Sequence, residues 1–192
     1  MTYVIGASGV GTSTRALSLQ RELGDSGRPC LLLATDVIRA QLRTVLDQEA
    51  CPELWGESFN LPTTDEDDEV RSGVNVTAFE RQCAPVLRAV EAGVAYALTE
   101  GWHVVVEGVH LIPGTFQIPD ADQADVTLEL LVVADEAEHI ARMRSRDVAS
   151  DGRRPAAHYE ANLPRVRTIQ AVLVERWDAL PPAQQHVTRV GP

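Results

Sequence analysis

The chain has 192 residues, of which 44% are hydrophobic, and this length and composition fit one globular domain with a proper core. Its 28 acidic residues outnumber the 17 lysines plus arginines, so the formal net charge is −11. That balance argues against a nucleic-acid-binding protein, which usually has a basic face, and fits a small anionic ligand held by local arginines.

Short apolar runs that predict buried strands alternate along the chain with amphipathic patterns that predict helices. Strands are predicted at 2–6, 30–35, 102–108 and 126–134, with a short fifth strand at 185–190. Helices are predicted at 13–24, 36–48, 76–99, 136–148 and 163–177. The alternation predicts an α/β fold, a three-layer sandwich with a mostly parallel five-stranded sheet.

Several of these helices carry further signals. Asp36 is a plausible N-cap of the second helix. Apolar residues recur in that helix at helical spacing, namely Val37, Leu42, Val45 and Leu46. Pro85 predicts a break, or an early-turn position, in the helix at 76–99. The last helix has one apolar face, formed by Leu163, Val166, Ile169, Leu173 and Trp177.

Residues 52–73 differ in character from the rest of the chain. They are rich in proline, glycine, serine and acidic residues and show little periodicity, which predicts an irregular excursion. Within it, the acidic run from Asp65 to Glu69 predicts a solvated loop, because runs of like charge usually stay in water.

The segment GASGVGTST, between the first strand and the first helix, matches the phosphate-binding pattern G-x-x-x-x-G-K-S/T except at one position. Glycines let the backbone curl so that successive N–H groups face a polyphosphate, and the helix N-terminus adds partial positive charge. Ser13 is placed to give its hydroxyl to Mg²⁺. The alternative is a glycine-rich turn without a ligand. The candidate nucleotide-binding residues are Gly6, Ala7, Ser8, Gly9, Val10, Gly11, Thr12, Ser13 and Thr14.

Thr12 stands where the pattern has a lysine, and threonine offers a backbone N–H and a hydroxyl but no charge. Losing one preorganised charge contact costs several kcal/mol of transition-state stabilisation. An active enzyme therefore needs another cation near the outer phosphates. The candidates are Mg²⁺, Arg15 and a group of arginines later in the chain.

That later group gives an acidic chain a local concentration of positive charge, and it comprises Arg142, Arg144, Arg146, Arg153 and Arg154. Arg142 and Arg146 share a helix face and are the candidates for catalytic roles. Arg153 and Arg154, in a glycine-containing connection, are predicted to contact the nucleotide. Together the group predicts a lid at about 142–158 that closes over phosphates and excludes water, with an ordinary basic helix surface as the alternative.

Two acidic candidates follow predicted strands, at the sheet edge where parallel strands carry functional loops. Glu107 ends the strand at 102–108 and is predicted to hold Mg²⁺ or to accept a proton from a substrate hydroxyl; an N-cap or a loop ion pair is the alternative. Asp36 is also a candidate proton acceptor, with simple capping as the alternative. The choice between the two carboxylates stays open.

Two basic candidates lie close to these acids in sequence. Arg39 is one helical turn from Asp36, so both can face one pocket, where Arg39 would bind a carboxylate or phosphate of the substrate; a solvated helix face is the alternative. His110 is predicted to contact the substrate, or else to form a structural hydrogen bond among its apolar neighbours.

These segments resemble the successive blocks of a known family. GASGVGTST, TDVIR, EGVHLIPG and RRPAAHYEANLPRVRTIQAVL are similar to blocks of the 2-phosphoglycerate kinases, a branch of the P-loop kinases, from about Val4 to Val174. The phosphate loop of that family also commonly reads Gly-Thr-Ser-Thr. Residues 52–73 keep only ELWGESFNL as a faint echo of the family's acceptor segment, which leaves the acceptor less defined than the reaction.

The resemblance implies a single P-loop kinase domain over 1–192 that uses ATP and Mg²⁺ to convert 2-phosphoglycerate to 2,3-bisphosphoglycerate. It places Ser13 near the metal, Asp36 and Arg39 at the acceptor, and Glu107 with His110 at the reaction centre. A P-loop kinase for another small hydroxylated metabolite, such as a sugar or hydroxy acid, is one alternative. A nucleotide-binding regulatory module without turnover is another, and Thr12 is the feature that favours it.

Partners and location follow from composition. The three cysteines have no paired spacing, which predicts reduced thiols in a cytoplasmic protein and no zinc site. Neither a signal peptide nor a transmembrane helix is expected. The expected partner is a small-molecule substrate, not a nucleic acid or a membrane, and a homodimer is possible.

Overall fold

A computed structural model describes residues 1–119, 125–181 and 189–190. The strands are β1 (Thr2–Ile5), β2 (Cys30–Ala34), β3 (Val70–Arg71), β4 (Val74–Asn75), β5 (His103–Gly108), β6 (Thr127–Leu131) and β7 (Arg189–Val190). The α-helices are α1 (Thr12–Gly24), α2 (Thr35–Leu42), α3 (Val76–Thr99), α4 (Glu136–Ala149), α5 (Ala156–Ala161) and α6 (Leu163–Asp178). A 3-10 helix spans Pro52–Trp55.

Five of the strands form one parallel sheet in the order β2-β5-β1-β6-β7. Every residue of β1 is buried, so helices cover this central strand on both faces. The predicted α/β fold with a five-stranded sheet is therefore confirmed. The register pairs Ile5 with Gly108 and Ala34 with Glu107, which brings the carboxyl ends of β1, β2 and β5 to one sheet edge.

The core lies between this sheet and the apolar faces of the helices. All five residues of the predicted face of α6 are buried, which confirms that prediction. Helix α3 buries residues from Val76 to Ala97 at intervals of three and four, as an amphipathic helix against a sheet should. No helix in the described part of the chain is both long and apolar enough to cross a membrane.

The prediction for α2 was wrong in two respects. Ala34 is its N-cap residue, and Asp36 lies in the first turn, so the capping role predicted for Asp36 is incorrect. The helix ends at Leu42, where a turn begins in which the Thr44 hydroxyl donates to the Gln41 carbonyl. Val45 is consequently 76% exposed and not part of an apolar face.

Pro85 does not break α3, which runs without interruption from Val76 to Thr99. A proline in a helix interior removes one backbone hydrogen bond and crowds the preceding turn. Burial of Phe79, Val86 and Val90 on either side of it offsets that cost, because the helix face packs into the core.

Residues 52–73 are more ordered than their composition predicts. Besides the 3-10 helix, β3 and β4 form an antiparallel hairpin whose turn residues, Ser72 and Gly73, both have positive φ (47° and 76°). Such turns match the natural twist of two antiparallel strands. The acidic run is exposed except at Asp68, which accepts hydrogen bonds from Arg81 and Asn75. The guanidinium of Arg81 lowers the pKa of this carboxyl.

Candidate active site

The turn that follows β1 is shaped by its glycines. Gly9 and Gly11 have φ values of 87° and 102°, which favour glycine, and a Cβ at Gly6 would come within 2.5 Å of the Val10 side chain. No side chain in the described residues caps the N-terminus of α1, which leaves backbone N–H groups free for a ligand. All residues from Gly6 to Thr14 line one cavity of about 990 Å³. This geometry is suited to an anion.

Ser13 and Glu107 meet at the base of this cavity. The Ser13 hydroxyl donates to Glu107 Oε1 at 3.1 Å. Glu107 is 7% exposed, and burial raises the pKa of its carboxyl, although the hydroxyls of Thr12 and Ser13 oppose that shift. A buried carboxylate whose hydrogen-bond partner is a hydroxyl, not a cation, favours a cationic ligand nearby.

These two side chains fit Mg²⁺. A hydroxyl and a carboxylate are oxygen donors of the kind that Mg²⁺ prefers, and this ion is usually held by one or two protein groups plus substrate phosphates and water. The described residues contain no group of three or more His, Cys, Asp or Glu side chains that could form a complete metal cage. A metal shared between the protein and a phosphate ligand is the arrangement compatible with both observations.

Asp36 and Arg39 line the same cavity from α2, as their spacing predicted. Asp36 is largely exposed, and its Oδ1 lies 3.7 Å from Arg39 Nη2. Arg39 also donates from Nη1 to the Gly56 carbonyl, and its buried Nε has no hydrogen-bond partner in the described residues. Burial lowers the pKa of Arg39. The guanidinium therefore joins α2 to the excursion at 52–73 and leaves part of its donor capacity unused.

Four of the five later arginines line the cavity: Arg142, Arg146, Arg153 and Arg154. Arg144 points elsewhere and forms an ion pair with Glu160 at 2.7 Å. Arg15 also lines the cavity, but its guanidinium is held by Glu129 through hydrogen bonds of 2.6 and 2.7 Å.

Arg146 lies in the cavity wall and forms no ion pair with any of the described residues. Its guanidinium carbon lies 4.3 Å from the centre of the Tyr159 ring, a cation–π contact. Its buried Nε and Nη2 atoms have no hydrogen-bond partner among the described residues. Burial lowers the pKa of Arg146, as expected for a cation without a carboxylate beside it.

Comparison with curated proteins gives consistent matches. The 2-phosphoglycerate kinase of Methanothermobacter thermautotrophicus is 34% identical over 170 residues, which cover 85% of this chain and 53% of that protein. The 2-phosphoglycerate kinases of Methanopyrus kandleri (34%, 88% of this chain, 50% of that protein) and Methanococcus maripaludis (31%, 89% and 54%) are similar. No family model matches the chain.

The chain is a relative of the 2-phosphoglycerate kinases. The resemblance inferred from its motifs is thereby confirmed. The chain spans about half the length of the curated relatives it matches, so the matched half of each relative corresponds to nearly all of this one.

In this relative of the 2-phosphoglycerate kinases, His110 is the one predicted site residue outside the cavity lining. It is completely buried, and its Nδ1 lies 2.9 Å from the hydroxyl of Thr35. A Cβ at Gly108 would come within 2.0 Å of the same hydroxyl, so the strand end can reach Thr35 only with glycine there. This geometry fits the alternative role of His110, a structural hydrogen bond inside the core. Contact between His110 and the substrate stays a prediction.

The burial of His110 predicts a pH-dependent stability. Burial lowers the pKa of His110 from 6.5 to about 4. Below pH 6.5 the imidazole of His110 binds a proton in the unfolded chain but stays neutral in the folded chain until the pH approaches 4. The stability that this difference affects is therefore complete above pH 6.5 and is lost as the pH falls. From pH 7.5 to pH 5 the loss is about 2 kcal/mol. Urea unfolding at both pH values measures it.

His110→Asn is the control, because its amide can replace Nδ1 toward Thr35 but does not titrate. This variant should lose about 2 kcal/mol less than the wild type between pH 7.5 and pH 5, whatever its absolute stability. Equal losses in the two proteins would show that the proton uptake occurs elsewhere.

Proposed function

We propose that the chain binds ATP with Mg²⁺ and transfers the γ-phosphate to a hydroxyl of a small anionic metabolite. The observation that carries this proposal is that one cavity contains a turn suited to an anion, a Ser13–Glu107 pair suited to Mg²⁺ and three arginines, Arg146, Arg153 and Arg154, that form no ion pair with any of the described residues. The name of the relatives makes 2-phosphoglycerate the first candidate acceptor and 2,3-bisphosphoglycerate the candidate product.

The mechanism rests on positioning and on charge neutralisation, as in phosphoryl transfer generally. The N–H groups of the turn and of the first turn of α1 would hold the triphosphate. Ser13 and Glu107 would hold Mg²⁺, which when bound neutralises charge on the outer phosphates. Arg146, Arg153 and Arg154 would approach the same phosphates from the opposite wall of the cavity.

On the acceptor side, Arg39 would bind the anionic group of the metabolite with the donor capacity that Gly56 leaves unused. We assign the proton-accepting role to Asp36, because its carboxylate is exposed in the cavity whereas that of Glu107 faces Ser13. The excursion at 52–73 would complete the acceptor site, and the segment at 142–158 would act as the lid of a single kinase domain.

A second candidate function is a nucleotide-binding regulatory module without turnover. The observation that favours it is Thr12, which leaves the phosphate turn without the charged side chain that its pattern normally supplies. Such a module would use the same cavity and turn but would need no proton acceptor.

ADP release measured over a panel of acceptors tests the proposal. The panel pairs the phosphorylated acceptors, 2-phosphoglycerate and 3-phosphoglycerate, with glycerate, which keeps only the carboxylate, and with glycerol and neutral sugars, which are uncharged. We expect kcat/KM for the preferred phosphorylated acceptor to exceed that of the uncharged ones by about 10²-fold, because Arg39 would lose its partner. Tight ATP binding without turnover on any acceptor would support the regulatory module instead. A neutral preferred acceptor would remove Arg39 from acceptor binding.

We also propose that the protein acts in the cytoplasm on a small-molecule substrate, without a nucleic-acid partner. The negative charge of the chain and its reduced-thiol composition support this location. A homodimer stays a prediction.

A further inference from the structure

Helix α4 packs against the outer side of the phosphate turn and donates hydrogen bonds to its backbone. His139 Nε2 lies 2.8 Å from the Ser8 carbonyl oxygen, and because a carbonyl only accepts, this nitrogen carries the proton. One helical turn further on, Arg142 Nη1 donates to the Val10 carbonyl at 2.8 Å. Two side chains of one helix therefore bind two carbonyls of one turn.

These contacts matter because of how an anion-binding turn is built. When successive N–H groups point inward at a ligand, the carbonyls point outward and need partners of their own. Glycines at 9 and 11 also make the free turn flexible, so holding it in one shape costs conformational entropy. Hydrogen bonds to the outward carbonyls restrict the turn before any ligand arrives.

The helix that makes these contacts is itself held in place. The Asp135 carboxylate accepts from the Glu138 backbone N–H at 2.7 Å and caps α4, while Glu138 fixes the Arg142 guanidinium through bonds of 2.7 and 2.9 Å. His139 is completely buried, and a Cβ at Gly9 would lie only 3.1 Å from its ring and from Met143. The turn and the helix thus fit together without spare room.

We propose that His139 and Arg142 are positioning residues that hold the phosphate turn in its anion-binding shape. This inference rests on the proposed function in that a triphosphate is the ligand. Arg142 acts through the Val10 carbonyl, with its guanidinium already engaged by Glu138. A turn that is already ordered loses less conformational entropy when the ligand binds, which raises the affinity for the ligand. This gain partly compensates for the missing lysine of the turn.

The test compares His139→Leu with His139→Gln. Leucine removes the donor, whereas the amide nitrogen of glutamine can take the place of Nε2. In ligand-free protein, we expect His139→Leu to speed hydrogen exchange at the Val10 amide, which donates to the Ala7 carbonyl within the turn, by about tenfold, the worth of one hydrogen bond. Kd values for ATP and for inorganic tripolyphosphate, measured by calorimetry, should both rise by about tenfold. Glutamine should restore both quantities.

The outcomes separate this inference from the proposed function. If the wild type binds neither ATP nor tripolyphosphate, the proposed function fails, while exchange in the ligand-free variants still decides the role of His139. Unchanged exchange in His139→Leu, or no rescue by glutamine in a folded variant, overturns the inference. If the leucine variant does not fold, Arg142→Met tests the second contact, because it removes the donor to the Val10 carbonyl. Unchanged exchange and unchanged Kd in that variant overturn the inference too.

Discussion

Replacing Glu107 with glutamine is expected to lower kcat by about 10³-fold or more while the protein stays folded. Glutamine keeps the size of the side chain and can still accept from the Ser13 hydroxyl, but it carries no charge with which to hold Mg²⁺. Because burial raises the pKa of Glu107, the folded protein bears a cost for ionising this group that glutamine removes. The melting temperature should therefore stay the same or rise.

The chain offers a matched control on the next strand but one in the sheet. Glu129 of β6 is also buried, at 6% exposed, but its carboxylate is bound to the Arg15 guanidinium. Glu129→Gln should lower the melting temperature, because it leaves that guanidinium without its charged partner, and should leave most of the turnover. The two variants thus predict opposite patterns of stability and activity.

The measurements are ADP release at saturating ATP with the best acceptor, a magnesium titration and a thermal melt for each variant. If Glu107 holds the metal, higher Mg²⁺ should recover part of the activity lost in Glu107→Gln. Unchanged turnover in that variant would remove Glu107 from the mechanism. Loss of turnover in both variants would show that removing either buried carboxylate disturbs the site, and the effect could then not be assigned to metal binding by Glu107.

The parts of the fold that sequence predicted are those where periodicity is local. The central strands are mostly apolar, and α6 repeats apolar residues every three or four positions, so short windows of sequence were enough to predict them. The end of α2 was misplaced because Val45 and Leu46 continue the apolar pattern through the turn that follows the helix. The hairpin at β3 and β4 was missed although Ser72-Gly73 is a recognisable turn signal.

The residues of the candidate site also fall into those that local sequence predicts and those that depend on packing between distant segments. The glycines of the turn, Ser13 and Glu107 stand at strand ends, and parallel strands bring such positions together. His139 was missed because its role depends on a contact with Ser8, which lies more than a hundred residues away in the sequence. Tyr159 was missed because its role depends on a cation–π contact with Arg146. The arginine group was predicted as one unit, but Arg144 lies on the opposite side of α4 from its neighbours.

Arg146 is the residue we expect to replace the charge that Thr12 lacks. The chain contains no lysine at all, since every one of its 17 basic residues is an arginine. Among the arginines of the cavity wall, Arg15 is bound to Glu129 and Arg142 to Glu138, which leaves their charges compensated. Arg153 and Arg154 are exposed to solvent, whereas Arg146 rests on an aromatic ring and its buried Nε and Nη2 have no hydrogen-bond partner among the described residues. This is a costly state that an anionic ligand would relieve.

Replacing Arg146 with methionine is therefore expected to lower kcat by about 10³-fold, within the range known for single arginines in phosphoryl transfer. Methionine removes the charge but can still pack on the Tyr159 ring, so the fold should be kept. Arg144→Met is the matched control, because Arg144 lies on the same helix with its charge in an exposed pair with Glu160. Its kcat should change less than about twofold.

A lysine introduced at position 12 makes the test specific. In the Arg146→Met background, Thr12→Lys should recover much of the lost kcat, because it restores a charge at the position where the phosphate-binding pattern supplies one. The same lysine added to the wild type should have a smaller effect, since that charge would already be provided. Full turnover in Arg146→Met would show that another cation serves the outer phosphates. A defect confined to the KM of the acceptor would move Arg146 to the acceptor site and leave the role of Thr12 unexplained.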